Sequence, residues 1–166
     1  MSDKELIEEA ANLAYQYQKK YRGCSQCVVK ALEDSLGTFN GLAFKATTAL
    51  SGGVAYTGET CGALLGGIVA ISLVFGRDKL EESWSSRGYT EANYYAGELC
   101  DKFKKELGSI KCRNILRARL SKSFDLRKPA ALIQMINLGA VECCPEVVSM
   151  AARLAAEVIL QAKASD

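Results

Sequence analysis

The sequence predicts an all-α fold: one domain over residues 1–166, built as a helical bundle of about six or seven helices. Three observations carry that reading. Apolar residues recur at three- and four-residue steps along most of the chain, whereas alternating strand patterns are scarce. Ser, Thr, Asp and Asn stand before the apolar runs and glycines stand after them, the residue types that open and close helices. With 166 residues, 49% of them hydrophobic and 24% charged, the chain is long enough to bury one core without a covalent staple.

Ser2 or Asp3 caps a first helix that places Leu6, Ala10, Leu13 and Tyr17 on one face and runs out near Arg22-Gly23, where glycine supplies a left-handed exit. A second helix starts around Cys24-Ser25, presents Val28, Leu32 and Leu36, and stops at Gly37. Asn40 caps a short third segment, Leu42 to Leu50, which ends at the Gly52-Gly53 pair; Thr57-Gly58-Glu59-Thr60 reads as a turn. The fourth helix continues to Gly76. Its stretch from Thr60 is uncharged, but it falls short of the ~20 apolar residues that span a bilayer, and Cys61, Gly62, Gly66, Gly67 and Ser72 dilute it. A buried central helix is expected there, and no membrane span.

A polar connection leads to Gly88. Thr90 caps a fifth helix through Leu107, closed by Gly108, with Tyr94, Leu99 and Phe103 as core residues. Ser109 caps a short sixth helix carrying Cys112, Ile115 and Leu116, and Pro129 to Leu138 forms another helical piece. The last helix opens at Cys144-Pro145, proline suiting the first helical position, and turns Val148, Ala152, Ala155, Ala156 and Ile159 inward.

Seven cysteines and no histidine set this chain apart. The missing imidazole excludes Ser-His-Asp and Cys-His catalysis and Cys₂His₂ zinc fingers. It also excludes a c-type haem, since Cys24-Ser25-Gln26-Cys27 is followed by Val28 rather than histidine. Seven is odd, so closed pairing within one chain cannot use every thiol. The opening Met1-Ser2-Asp3-Lys4-Glu5 has no apolar segment of a secretory signal. A cytoplasmic location is therefore expected, where thiols serve as ligands or redox centres rather than staples.

Cys24, Cys61, Cys112 and Cys144 each fall within the first turn of an expected helix. Free N–H groups and the positive end of the dipole favour an anion there, so a thiol should lose its proton more readily. Four such thiols from four helices could converge inside a bundle. Against this stands the tendency of free cysteine to act as a small core hydrophobe. Cys27 follows Cys24 by three, the spacing of redox dithiols and metal knuckles. Cys100 lies mid-helix and reads as structural; Cys143, beside Cys144, is a spare thiol or an exchange partner. Gly62 and Gly66 interrupt an apolar helix at a cost of about 1 kcal/mol each relative to alanine. Their bare backbone admits either a cofactor beside Cys61 or a closely packed helix.

Lys111, Arg113, Arg117, Arg119, Lys122, Arg127 and Lys128 form a basic run opposed in sequence only by Asp125. It suits either a solvated face or the docking of an acidic redox partner protein. With Lys plus Arg at 21, Asp plus Glu at 19 and no row of interleaved aromatics, nucleic acid is not expected. Tyrosines and the basic surface could serve a homodimer, though no heptad seam argues for one.

Cys61-Gly62-Ala63-Leu64-Leu65-Gly66, preceded by Cys24-Ser25-Gln26 and followed by Leu107-Gly108-Ser109-Ile110-Lys111-Cys112 and Cys144-Pro145-Glu146-Val147-Val148, resembles the C_GCAxxG_C_C family. The resemblance covers roughly Arg22 to Val158 and selects the same four cysteines. It implies a small helical protein with redox activity. Ser25 stands where the family has alanine, and Cys27, Cys100 and Cys143 are additions that leave open whether Cys24 or Cys27 is the working thiol.

The expected function is redox activity at one site. Cys24, Cys61, Cys112 and Cys144 would ligate a metal centre, foremost an iron–sulfur cluster, for electron transfer or redox sensing. The alternatives are thiol/disulfide exchange without metal through Cys24, Cys27, Cys61, Cys112 and Cys144, a structural zinc site, or an interaction module.

Overall fold

The computed structural model describes residues 1–37, 41–80 and 83–165. Its helices are α1 (Asp3–Tyr21), α2 (Cys24–Leu36), α3 (Gly41–Ala46), α4 (Gly62–Phe75), α5 (Arg87–Leu107), α6 (Cys112–Leu120), α7 (Pro129–Met135) and α8 (Val141–Ser165). Of these α-helices, α3 and α7, with six and seven residues, fall below two turns, and a 3₁₀ turn (Thr48–Leu50) and a π turn (Ile136–Ala140) are shorter still. No β-strand occurs among the described residues; a single antiparallel bridge joins Thr60 to Lys111. No helix among them is long and apolar enough to cross a membrane.

Helix α8 is the hub, packing on α1, α2, α4 and α5, while α4 also packs on α2 and α5. One core collects Ala10, Val28, Leu32, Leu64, Ile71, Leu99, Phe103, Ile115, Val148 and Ile159, among others. The inward residues expected on the last helix, Val148, Ala152, Ala155, Ala156 and Ile159, are all buried.

Helices α1 and α8 run antiparallel. Glu8 pairs with Arg153, and Lys19 Nζ lies 3.0 Å from Glu142. Both pairs fit one register, which sets Ala10 level with Ala151 and Ala14 level with Val147. Small residues on the contact row let the two helices approach closely. The buried row of α1 is accordingly Ala10, Ala14 and Gln18, with Ala11 beside it, whereas the expected Leu6, Leu13 and Tyr17 are only half-buried at its margin.

Helix ends follow local chemistry, with corrections. Ser2 caps α1 in a reciprocal capping box with Glu5. Arg22 and Gly23 both have positive φ, and Gly23 takes the left-handed conformation, before α2 starts at Cys24. The fifth helix is capped by Ser86, not Thr90; Thr90 instead turns its hydroxyl onto the carbonyls of Ser86 and Arg87. Tyr94 is 70% exposed rather than in the core. The inward row through Leu99 and Phe103 extends back to Ala92 and Tyr95, and Tyr95 packs on Phe75 with ring centroids 4.7 Å apart. The N-cap of α6 is Lys111; Ser109 lies outside the helix and accepts from the Lys111 amide. Helix α8 begins at Val141, three residues earlier than expected, after a break at Gly139 (φ 103), so Pro145 lies inside it. The expected cap Asn40 lies outside the described residues.

Candidate functional site

The structure places all four singled-out cysteines at helix beginnings. Cys61 is the N-cap of α4, Cys24 and Cys112 are the first residues of α2 and α6, and Cys144 is the fourth residue of α8. Cys61 is buried; Cys24, Cys112 and Cys144 are half-buried, and all are free thiols.

Backbone pairing brings two of them side by side. The amide of Cys61 donates to the carbonyl of Ile110 (2.8 Å), and the amide of Cys112 donates to the carbonyl of Glu59 (2.7 Å). These bonds flank the Thr60–Lys111 bridge. Because side chains alternate along extended backbone, Cys61 and Cys112 share the face opposite Thr60 and Lys111, one diagonal step apart. Glu59 fastens the bridge through ion pairs to Arg113 and to Lys111, the latter at 3.1 Å.

Cys24 is set against the same point. A Cβ added at Gly62 would lie 2.6 Å from Cys24 Sγ and 2.7 Å from the carbonyl oxygen of Leu50. Only glycine therefore lets the start of α4 approach the Cys24 sulfur. The neighbouring Ser25 is fully buried, its hydroxyl donating to the carbonyl of Thr47 (2.7 Å) and lying 3.0 Å from Ser51 Oγ. This network ties the first turn of α2 to the segment leading into the site. At Gly66 the close approach is to a helix: a Cβ there would meet the carbonyl oxygen of Ser25 at 2.5 Å.

Electrostatics link the set through Cys24, which acts on Cys61, Cys112 and Cys144 and also on Cys27; Cys112 also acts on Cys61 and Cys144. The thiols do not respond as helix position alone suggested. Burial pushes Cys61 well above the usual thiol range, and Cys24 and Cys112 add to this. The amides of Ala63 and Leu64 favour its thiolate without completing a cap hydrogen bond. Here desolvation outweighs the helix N-terminus. Burial, followed by Cys24, raises Cys112 to about 12. Cys144 is raised because its S–H donates to Cys143, and burial adds to that. Cys143 is correspondingly held down to about 7, first by that hydrogen bond and then, against burial, by Arg119.

Cys27 is separate from this convergence in its bonding. It is buried, donates to the carbonyl of Arg22 at 3.2 Å, and is raised to about 12 by burial first and by Cys24 second. Cys100 packs at the edge of the core.

Sequence reasoning missed two residues. Gly53 (φ 72) would, with a Cβ, meet Glu59 N at 2.6 Å and Cys112 Cβ at 2.8 Å; it belongs to a left-handed run from Gly52 to Tyr56 that packs onto the bridge. The Gly52-Gly53 pair was legible, but only as a helix stop. Gln18 is 7% exposed, and its Oε1 has no hydrogen-bond partner. The α1–α8 register places it level with Cys143. A lone glutamine on an apolar row was the available signal.

Among the described residues, no group of three or more Cys, Asp or Glu side chains is arranged to hold a single metal ion. No curated protein and no solved structure matches the chain significantly. The chain does match one family model, "Putative redox-active protein (C_GCAxxG_C_C)", over residues 22–158. That stretch takes in all four helix-start thiols and most of the bundle, and the protein belongs to the C_GCAxxG_C_C family.

Proposed function

We propose that Cys24, Cys61, Cys112 and Cys144 form one redox centre that binds an iron–sulfur cluster, for electron transfer or redox sensing. The observation that supports this best is the state of the thiols. Cys61, Cys112 and Cys144 are held protonated by burial and by neighbouring thiols, and a protonated thiol is a poor nucleophile. A cationic centre displaces those protons and provides the charge that four thiolates need. Four cysteines are the usual ligand set for [2Fe–2S] and [4Fe–4S] clusters, which supply one-electron chemistry. A single tetrahedral zinc would need sulfurs about 3.8 Å apart, and no such group exists among the described residues. A cluster of several irons spaces its ligands more widely.

In this reading the chain does three things. The Thr60–Lys111 bridge holds Cys61 and Cys112 on one face, Gly62 admits Cys24, and the first turn of α8 brings Cys144. The test is anaerobic purification with iron and acid-labile sulfide analysis and an optical spectrum. Brown protein that loses iron on Cys→Ser substitution at each of the four positions, but keeps it in Cys100→Ser, supports the reading. Colourless, iron-free protein after anaerobic reconstitution overturns it.

One observation favours a second reading. Cys143, lowered to about 7 beside Cys144, is the thiol best prepared to attack a disulfide. Metal-free protein with reversible disulfides that depend on Cys143 would replace the first reading with thiol/disulfide exchange.

A further inference from the structure

We infer that the exposed basic surface formed by α6 and the 121–128 segment is the docking site of an acidic redox partner protein, which would pass one electron to the iron–sulfur cluster that the four cysteines would hold. The inference rests on the redox reading above and adds where the electron enters.

Residues 111–128 contain seven Lys or Arg and one Asp, a net charge of +6 in a chain whose total is +2, so the rest of the molecule carries −4. All seven basic residues are exposed. Three carboxylates face them: Glu59 takes Lys111 and Arg113, Glu146 takes Arg119, and Asp125 takes Arg127 and Lys128. Among the described residues, no carboxylate pairs with Arg117 or Lys122, leaving two unpaired exposed charges on this surface.

The face meets the thiols at both ends. Cys112 is the first residue of α6, and Arg119 acts electrostatically on Cys143. It also borders an open hollow of about 580 Å³ lined by Leu120, Ile133 and Leu138 together with the polar Lys122, Gln134 and Asn137. Ile133 and Leu138 are 59% and 47% exposed. An apolar patch beside a charged rim is the anatomy of a protein–protein interface, and the charge would steer an acidic partner into place. A nucleic acid fits less well. The segment has one aromatic residue, half-buried Phe124, and the negative remainder of the molecule repels a long polyanion.

In the step itself, the partner's reduced centre would lose one electron to an oxidised iron–sulfur cluster held by the four cysteines, since thiols that are already reduced cannot accept one; no bond would be made or broken. The probe is a reduced acidic plant-type ferredoxin, with binding followed by calorimetry and electron transfer by stopped flow. In the Arg117→Glu/Lys122→Glu variant, binding weakens and transfer slows about tenfold, and the wild-type affinity falls with added salt. Reduction by photoreduced deazaflavin, which needs no docking, is unchanged. Lys4→Glu/Lys163→Glu, an equal charge change at the other end of the α1–α8 pair, leaves ferredoxin binding intact. Ferredoxin binding that is unaffected by Arg117→Glu/Lys122→Glu, or a tighter complex with duplex DNA than with ferredoxin, overturns the docking site. If deazaflavin fails to reduce wild-type protein while ferredoxin binding still requires Arg117 and Lys122, the redox reading falls and the docking face stands.

Discussion

Replacing Gly66 by alanine sets two effects against each other. Gly66 lies inside α4, where alanine is intrinsically better than glycine by about 1 kcal/mol. The added methyl would sit 2.5 Å from the carbonyl oxygen of Ser25 and 3.0 Å from Val28 Cβ, both on α2. The first of these is backbone and cannot rotate away. Helix α2 cannot easily retreat either, because the Ser25 hydroxyl is held by Thr47. Overpacking of this kind costs roughly 1–3 kcal/mol, and backbone contact belongs at the upper end. The net is a loss of about 2 kcal/mol, or a Tm about 4–8 °C lower for a domain of this size. Gly97, inside α5 with nothing within 4 Å of an added Cβ, is the internal control: Gly97→Ala gains the propensity term alone and raises Tm by about 2–4 °C. The assay is thermal unfolding by circular dichroism under reducing, metal-free conditions. Ser25 adjoins Cys24, so Gly66→Ala should also alter the alkylation rate of Cys24, which Gly97→Ala should not. A Gly66→Ala protein as stable as Gly97→Ala would refute the claim that glycine is there for the α2–α4 approach.

Iodoacetamide at pH 7 with peptide mass mapping should label Cys143 first, at a rate that follows a titration near 7, while Cys61 and Cys112 react only after denaturation; equal labelling of all thiols would contradict the burial argument. Alkaline conditions should destabilise the metal-free protein. Cys27, Cys61, Cys112 and Cys144 bind protons more tightly folded than unfolded. Their contribution is therefore complete below the unfolded thiol pKa near 8.5 and is lost as pH rises toward 12, at up to roughly 1 kcal/mol per pH unit for each thiol; a Tm that holds constant from about pH 8 to about pH 10.5 would oppose this. Gln18→Leu removes an acceptor that is buried without a partner and should leave metal-free stability unchanged or raise it by about 1 kcal/mol in urea unfolding; a loss above that amount would mean the amide has a partner in solution.

Patterning along the chain was enough for the all-α class, the order of the long helices and their closing glycines at Gly37 and Gly108, because these depend on neighbours within a few residues. It misjudged Tyr94 and the caps Thr90 and Ser109, where two polar residues compete and a shift of one position rotates a side chain by about 100°. The bridge between Thr60 and Lys111 was invisible, since it pairs segments far apart in sequence that make no strand. So was the role of Gly53, whose need for bare backbone comes from Cys112, distant in sequence.

The four thiols illustrate the division most clearly. For Cys24, Cys61 and Cys112 the position at a helix start follows from local signals, a polar or glycine residue and then an apolar period, whereas Cys144 is the fourth residue of a helix that begins earlier, after the break at Gly139. The ionisation of the four does not follow from such signals. A helix N-terminus acts over one turn, and the Ala63 and Leu64 amides there favour the Cys61 thiolate. Desolvation depends on which chain segments close over each sulfur, and that packing keeps Cys61 and Cys112 protonated while Cys143, a spare thiol or an exchange partner on sequence grounds, is held down to about 7.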